Sequence, residues 1–160
     1  LGLGRPDGAQ NPDTATLRAA VSARPGPAMP FDLIWERQGV LRRYHGDVTI
    51  AERNHSFDLI FGDARFDRIR YTITSYLDVS QYEIEPAATE EIAARHIGAL
   101  LTNPYIAMAA VVVNPTIVAA IEHFMALRFV TQPYRIFATL PQAREWIAQR
   151  IGGPAAPPAG

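Results

Sequence analysis

The spacing of apolar and polar residues changes period several times along this chain, and each change predicts an element. Ile106-Ala-Met-Ala-Ala-Val-Val-Val113 is eight apolar residues in a row, stopped at once by Asn114-Pro115. A strand solvated on one face alternates apolar and polar residues, whereas one covered on both faces is apolar throughout. Asn at a cap position and Pro at the first helical position then open a helix. A central strand therefore feeds directly into a helix, the signature of a layered α/β domain.

The rest of 31–151 fits that frame. Phe31 to Trp35 and Val40 to His45 alternate as a hairpin, with Gly39 expected to supply a left-handed turn residue and Gly46 to end the second strand. Thr49-Ile-Ala-Glu52 has the form of a capping box, and Ile50, Phe57, Ile60, Phe61 and Ala64 follow as a helical stripe. Phe66 and Ile69 anchor the connection to a third strand, Tyr71 to Leu77. An irregular stretch, Asp78 to Ala88, precedes a helix from Thr89 to Leu101, in which Glu91 and Arg95 stand at i,i+4. Asn103-Pro104 stops that helix. The central strand leads to a helix over 115–128, with Ile117, Ile121, Phe124 and Met125 inward. Tyr134 to Phe137 is the last strand. Thr139-Leu-Pro-Gln142 is a second capping box, opening a helix that buries Ala143, Trp146 and Ile147. The order is ββαβαβαβα, an α/β fold with a mixed sheet.

Residues 1–30 and 152–160 are rich in Gly and Pro and carry no periodic apolar pattern, so both read as disordered tails around a domain at 31–151. Met29-Pro30, just before the first strand, reads as a natural start. With 15 basic and 16 acidic side chains the net charge is −1, which gives nucleic acid or an anionic membrane no purchase. Every cation is Arg, and with abundant Ala, Pro and Gly this points to a GC-rich bacterial genome. The chain has no Cys, hence no disulfide and no thiolate metal site. No apolar run reaches the roughly 18 residues of a membrane span, and no secretory signal pattern opens the chain, so a cytoplasmic location is expected.

Candidate chemistry is sparse. His45, His55, His96 and His123 show no i,i+4 ligand spacing, and each reads as structural, His55 on the solvent side of its helix and His96 and His123 at the flanks of apolar stripes. Neighbouring helical residues point about 100° apart, so neither Glu90-Glu91 nor Glu122-His123 shares a site. Arg42-Arg43 and the Arg65, Arg68, Arg70 series, interrupted by Asp63 and Asp67, read as surface ion-pairing positions. Trp35 and Trp146 read as core. The glycines of the folded part are scattered and form no phosphate loop. No metal or cofactor is expected. The exception is Asp78 to Pro86, beyond the carboxyl end of a strand and ahead of a helix, the edge where open α/β sheets usually bind.

The order of elements and several local patterns resemble the STAS-like domains, relatives of bacterial anti-sigma-factor antagonists. The matching pieces are Gly46-Asp-Val-Thr49, Asp63 to Tyr71, Asp78-Val79, Tyr134 to Phe137 and Ala143 to Ile147. SEC14-like lipid-binding folds share the architecture. The resemblance implies a non-enzymatic switch or adaptor that works by protein–protein contact and is released by phosphorylation of a Ser in an Asp-Ser-Ser/Thr-Gly motif. Here Glu83-Ile-Glu-Pro86 stands in that place, with Ile84 at the acceptor position, and the nearest hydroxyl, Ser80, does not match the motif. The phosphoswitch is thus not expected.

The leading expectation is a STAS-like regulatory domain whose unknown protein partner contacts Asp78, Ser80, Glu83, Ile84 and Glu85. An exposed first-strand edge would allow a homodimer. A second reading is a module for a small apolar ligand or lipid, motivated by Phe57, Phe61, Met108, Phe124 and Met125, and it predicts a pocket of roughly 300 Å3 or more. The third is an enzyme pairing His45 or His96 with Glu85 or Asp78 in a cleft.

Overall fold

The structure is a computed structural model and describes residues 28–152; the tails expected at either end fall almost wholly outside the described residues. Five strands, β1 (Phe31–Glu36), β2 (Gly39–Val48), β3 (Tyr71–Tyr82), β4 (Ala107–Val111) and β5 (Tyr134–Phe137), form one sheet in the order β1-β2-β3-β4-β5. β1 and β2 are antiparallel, and every later pair is parallel. The helices are α1 (Ile50–Phe61), α2 (Pro86–Thr102), α3 (Pro115–Ala126) and α4 (Leu140–Ile151). The fold is the α/β class and element order expected from the sequence.

Three crossovers step the same way across the sheet, and right-handed crossovers then place α1, α2 and α3 on one face. α4 follows the last strand and covers the other. Along β4, Ala107, Ala109 and Val111 meet Ala143, Trp146 and Ile147 of α4. The alternate residues Met108, Ala110 and Val112 face the three-helix layer, with Ile60, Leu100, Ile117 and Ile121. Burial on both faces is why this strand carries no polar residue.

The caps hold as the sequence suggests. Thr49 and Glu52 cap each other at α1, Thr139 and Gln142 do so at α4, and the Asn114 carboxamide oxygen accepts from Thr116 N at 2.9 Å. Asn103 ends α2, is buried, and donates to the carbonyls of Phe66 and Ile69 at 2.7 and 2.8 Å. This side chain ties the α2 terminus to the connection before β3.

Several local expectations are corrected. Gly39 is not left-handed: it pairs with Glu36 across a two-residue turn, and the Tyr71 ring lies where its Cβ would project. The left-handed residue is Gly46, at φ +63. It sits in a bulged stretch of β2, with register shifts between Arg43 and His45 and between Gly46 and Asp47, so the strand bends there and continues to Val48. β3 runs on beside it, and Asp78 to Tyr82 is strand rather than loop. α2 therefore begins at Pro86, ahead of Thr89. Arg95 pairs with Asp58 on α1 instead of Glu91, an inter-helix contact that intrahelical spacing does not reveal. Trp146 is core, but Trp35 is only half buried, with the Arg65 guanidinium 4.0 Å above its ring.

Candidate functional site

Between the sheet and the three-helix layer lies a cavity of about 70 Å3. Much of its wall is aromatic or aliphatic, including Phe57, Phe61, Phe124, Met108 and Ile121. Four of the five residues singled out for an apolar ligand thus line it, although the volume is well under the expected 300 Å3. Among the described residues no Asp or Glu lines this cavity, but two arginines do, Arg42 from β2 and Arg53 from α1.

Both arginines are buried, each about 5% exposed. Strand alternation puts Arg42 on the same face as Val40 and Tyr44, looking into the helix layer. Its terminal nitrogens donate to Ser56 Oγ at 2.9 Å and Thr74 Oγ1 at 3.0 Å, and its guanidinium lies 4.1 Å from the centre of the Phe57 ring. Ser56 Oγ donates in turn to Arg53 O at 2.7 Å, so the 2.6 Å contact with Tyr44 has the phenol as donor. Arg53 reaches one weak partner, the Tyr82 hydroxyl at 3.5 Å, with the ring centre 5.4 Å away.

These contacts leave Arg42 Nε, Arg53 Nε and Arg53 Nη2 buried without a hydrogen-bond partner. No carboxylate among the described residues lies within ion-pair distance of either guanidinium. Arg65, Arg95 and Arg144, by contrast, are paired with Asp63, Asp58 and Glu36. Three buried phenols in or beside the cavity supply no counter-charge either. Burial pushes Tyr44 up to about 12 and raises Tyr76 and Tyr134 well above the usual phenol range, so all three are neutral. His96, wedged against Phe57, Phe61 and Phe124, is lowered to about 4 by burial, and it is neutral as well. Its Nδ1 sits 2.8 Å from Ile92 O and so carries the proton. Two permanent cations therefore face one cavity with no compensating charge among its lining residues.

The residues expected to act as a protein-contact surface spread over the neighbouring edge. Asp78 and Ser80 are exposed on the last part of β3. Glu83 Oε2 accepts from Ile50 N at 2.8 Å and holds the start of α1. Ile84 is half buried and packs beside the cluster that contains Phe31, Tyr44 and Val48. Glu85 is exposed at the cap position of α2 and its side chain makes no capping bond. Arg53, Tyr82 and Thr89 stand at this same carboxyl end of the parallel strands, so the expected edge and the cavity adjoin.

The histidines do not converge. His45 Nε2 is 3.6 Å from Asp32 Oδ2 on an exposed rim; strand pairing sets Asp78 opposite His45, but His45 takes Asp32 as its ion-pair partner. His55 and His123 are exposed, and His96 is interior rather than at a boundary. No group of three His, Asp or Glu suited to a metal occurs among the described residues. No helix there is long and apolar enough to cross a membrane.

The arginines are what sequence reasoning missed. Arg42-Arg43 was expected at the surface, but only Arg43 is exposed. The signal was strand parity for Arg42, and for Arg53 its helical alignment with Phe57 and Ile60.

No protein-family model matches the chain, and no curated protein matches it. Among solved structures, the chain is similar to the anti-sigma factor antagonist SpoIIAA in its unphosphorylated form. Identity is 16%, the TM-score is 0.46, and the match covers 77% of this chain and 98% of that one.

Proposed function

We propose that this domain is a non-enzymatic regulatory module that binds a small organic molecule between its sheet and the α1–α3 layer. The observation that carries the reading is the cavity itself, walled by rings and fitted with a few polar groups, the usual composition of a ligand site. What supports binding over catalysis is the neighbourhood of its one imidazole. His96 spends Nδ1 on a backbone carbonyl, and among the described residues no carboxylate lines the cavity beside it. At about 70 Å3 the space equals a little more than two waters' share of liquid volume, roughly 30 Å3 each, so the ligand is compact. Titrating propanol and propionate while following the methyl and ring NMR signals of lining residues tests this. The expected result is saturable shifts confined to the cavity wall, weakened roughly tenfold by Ala120→Leu, which adds a side chain to that wall. Absence of saturable binding by either compound, or unchanged binding in the variant, rejects the reading.

A second reading, contact with a protein partner and no serine switch, is favoured by the exposure of Asp78, Ser80 and Glu85 at the carboxyl end of β3. These side chains make no hydrogen bond among the described residues, so they can be replaced without cost to the fold. The triple variant Asp78→Ala/Ser80→Ala/Glu85→Ala is expected to lose a partner that the wild-type chain retains in affinity capture. Identical partner profiles would remove this edge from consideration.

A further inference from the structure

We infer that the ligand of this cavity is a compact organic carboxylate, its head held by Arg42 and Arg53 and its apolar body against the Phe57, Phe61 and Phe124 rings. The inference rests on the ligand-binding reading above and adds the chemistry of the ligand.

A buried cation persists only if something offsets its lost hydration, and uncompensated burial is worth several kcal/mol per ion. Among the described residues Arg65, Arg95 and Arg144 each pair with an acid, Arg144 with Glu36 at 3.1 and 2.6 Å. Arg42 and Arg53 have hydroxyls and ring faces instead. Ring faces attract a cation but carry no net charge. The deficit is of one kind: two positive charges and three nitrogens without a hydrogen-bond partner, on residues lining a space with no acid on its walls.

The position of the unused donors narrows the answer. On Arg53 they are Nε and Nη2, the two nitrogens along one side of the guanidinium. Their N–H bonds run parallel and match the two oxygens of a carboxylate. On Arg42 the terminal nitrogens are already used by Ser56 and Thr74, which fix the plane of the group and leave Nε free. One planar oxyanion can thus take a fork from Arg53 and a charge-assisted contact from Arg42. The remaining wall is ring and aliphatic surface, which suits a short alkyl chain and gives little to further polar groups.

Calorimetric titration with acetate, propionate, ethanol, propanol and inorganic phosphate, organic probes small enough for a space of about 70 Å3, decides the matter. Each carboxylate is expected to bind roughly ten- to a hundredfold more tightly than its alcohol, the range of a hydrogen bond to a charged group. Arg53→Met is expected to erase that preference while alcohol binding persists. Arg53→Lys, which keeps the charge and loses the fork, is expected to retain only a small part of it. Alcohols binding as tightly as carboxylates would overturn the inference and leave the cavity reading standing. Phosphate binding as tightly as the carboxylates would overturn the organic assignment. Failure of every compound to bind would remove both.

Discussion

Arg53→Met is expected to unfold at higher temperature and higher urea concentration than the wild-type chain when no ligand is present. Arg53 is about 5% exposed, its best partner is a hydroxyl at 3.5 Å, and two of its nitrogens are bonded to nothing. Methionine keeps the unbranched stem and its place beside the Tyr82 ring while discarding the charge. Replacing poorly compensated buried charge by apolar volume commonly gains about 1–4 kcal/mol, and that range is the expected stabilisation. Arg42→Met is expected to behave differently. It strands Thr74 Oγ1, whereas Ser56 Oγ keeps both Tyr44 and Arg53 O as partners, so the gain is largely cancelled. Urea denaturation of the three chains side by side measures the contrast. A less stable Arg53→Met would mean that Arg53 is already compensated, and the case for an absent anion would fall with it.

A residue that costs stability in the empty protein is the common mark of a site kept for something else. Arg53 is expected to carry that mark, and the sequence contained the means of seeing it. Arg53, Phe57 and Ile60 lie on one helical stripe, and the capping box of Thr49 and Glu52 fixes the register of α1 immediately before it. The same holds for Arg42, flanked at i±2 by Val40 and Tyr44, which are both fully buried. At these two positions charge and periodicity point in opposite directions, and burial follows periodicity. Most arginines follow their charge, as Arg43, Arg65 and Arg150 at the surface illustrate.

Where periodicity and capping agreed, the sequence was legible to within a turn. The apolar run of β4, the Asn114 cap, the two capping boxes and the inward face of α4 all appear as read. Legibility failed where one element depends on another. Asp78 to Tyr82 looks like a loop because its polar residues have no visible partner, yet β2 extends past its bulges to pair with it. Arg95 looks like a partner for Glu91 because only α2 is in view, and Asp58 arrives from α1. The cavity is of the same kind. It exists because three helices and four strands leave a gap, and no single stripe records a gap.

Acid is expected to destabilise the fold chiefly through His96, and over a defined range. Burial holds the native imidazole at about 4, against an ordinary value of 6.5; the bond to Ile92 O partly opposes this, while the nearby Arg42 and Arg95 charges reinforce it. Above 6.5 the side chain is neutral in both states and contributes no pH dependence. As pH falls from 6.5 to about 4 the unfolded chain binds a proton that the native state refuses, so stability declines throughout that window. Below it both states are protonated and the effect levels off. A difference of this size is worth about 3 kcal/mol in full, at roughly 1.4 kcal/mol per unit. Glu36 and Asp63, whose carboxyls are depressed by Arg144 and Arg65, act in the same direction but only below their ordinary values of 4.5 and 3.8. The interval from about pH 6.5 down to about pH 4.5 therefore isolates the imidazole from them. Urea denaturation at both ends of that interval should show a marked loss for the wild-type chain. His96→Phe, which preserves a ring among Phe57, Phe61 and Phe124, should lose little. Equal losses in the two chains would place the acid sensitivity elsewhere and would mean that the interior admits a charged imidazole beside Arg42. That outcome would also weaken the case for an electrostatically uncompensated cavity, since a site short of negative charge cannot take a third cation cheaply.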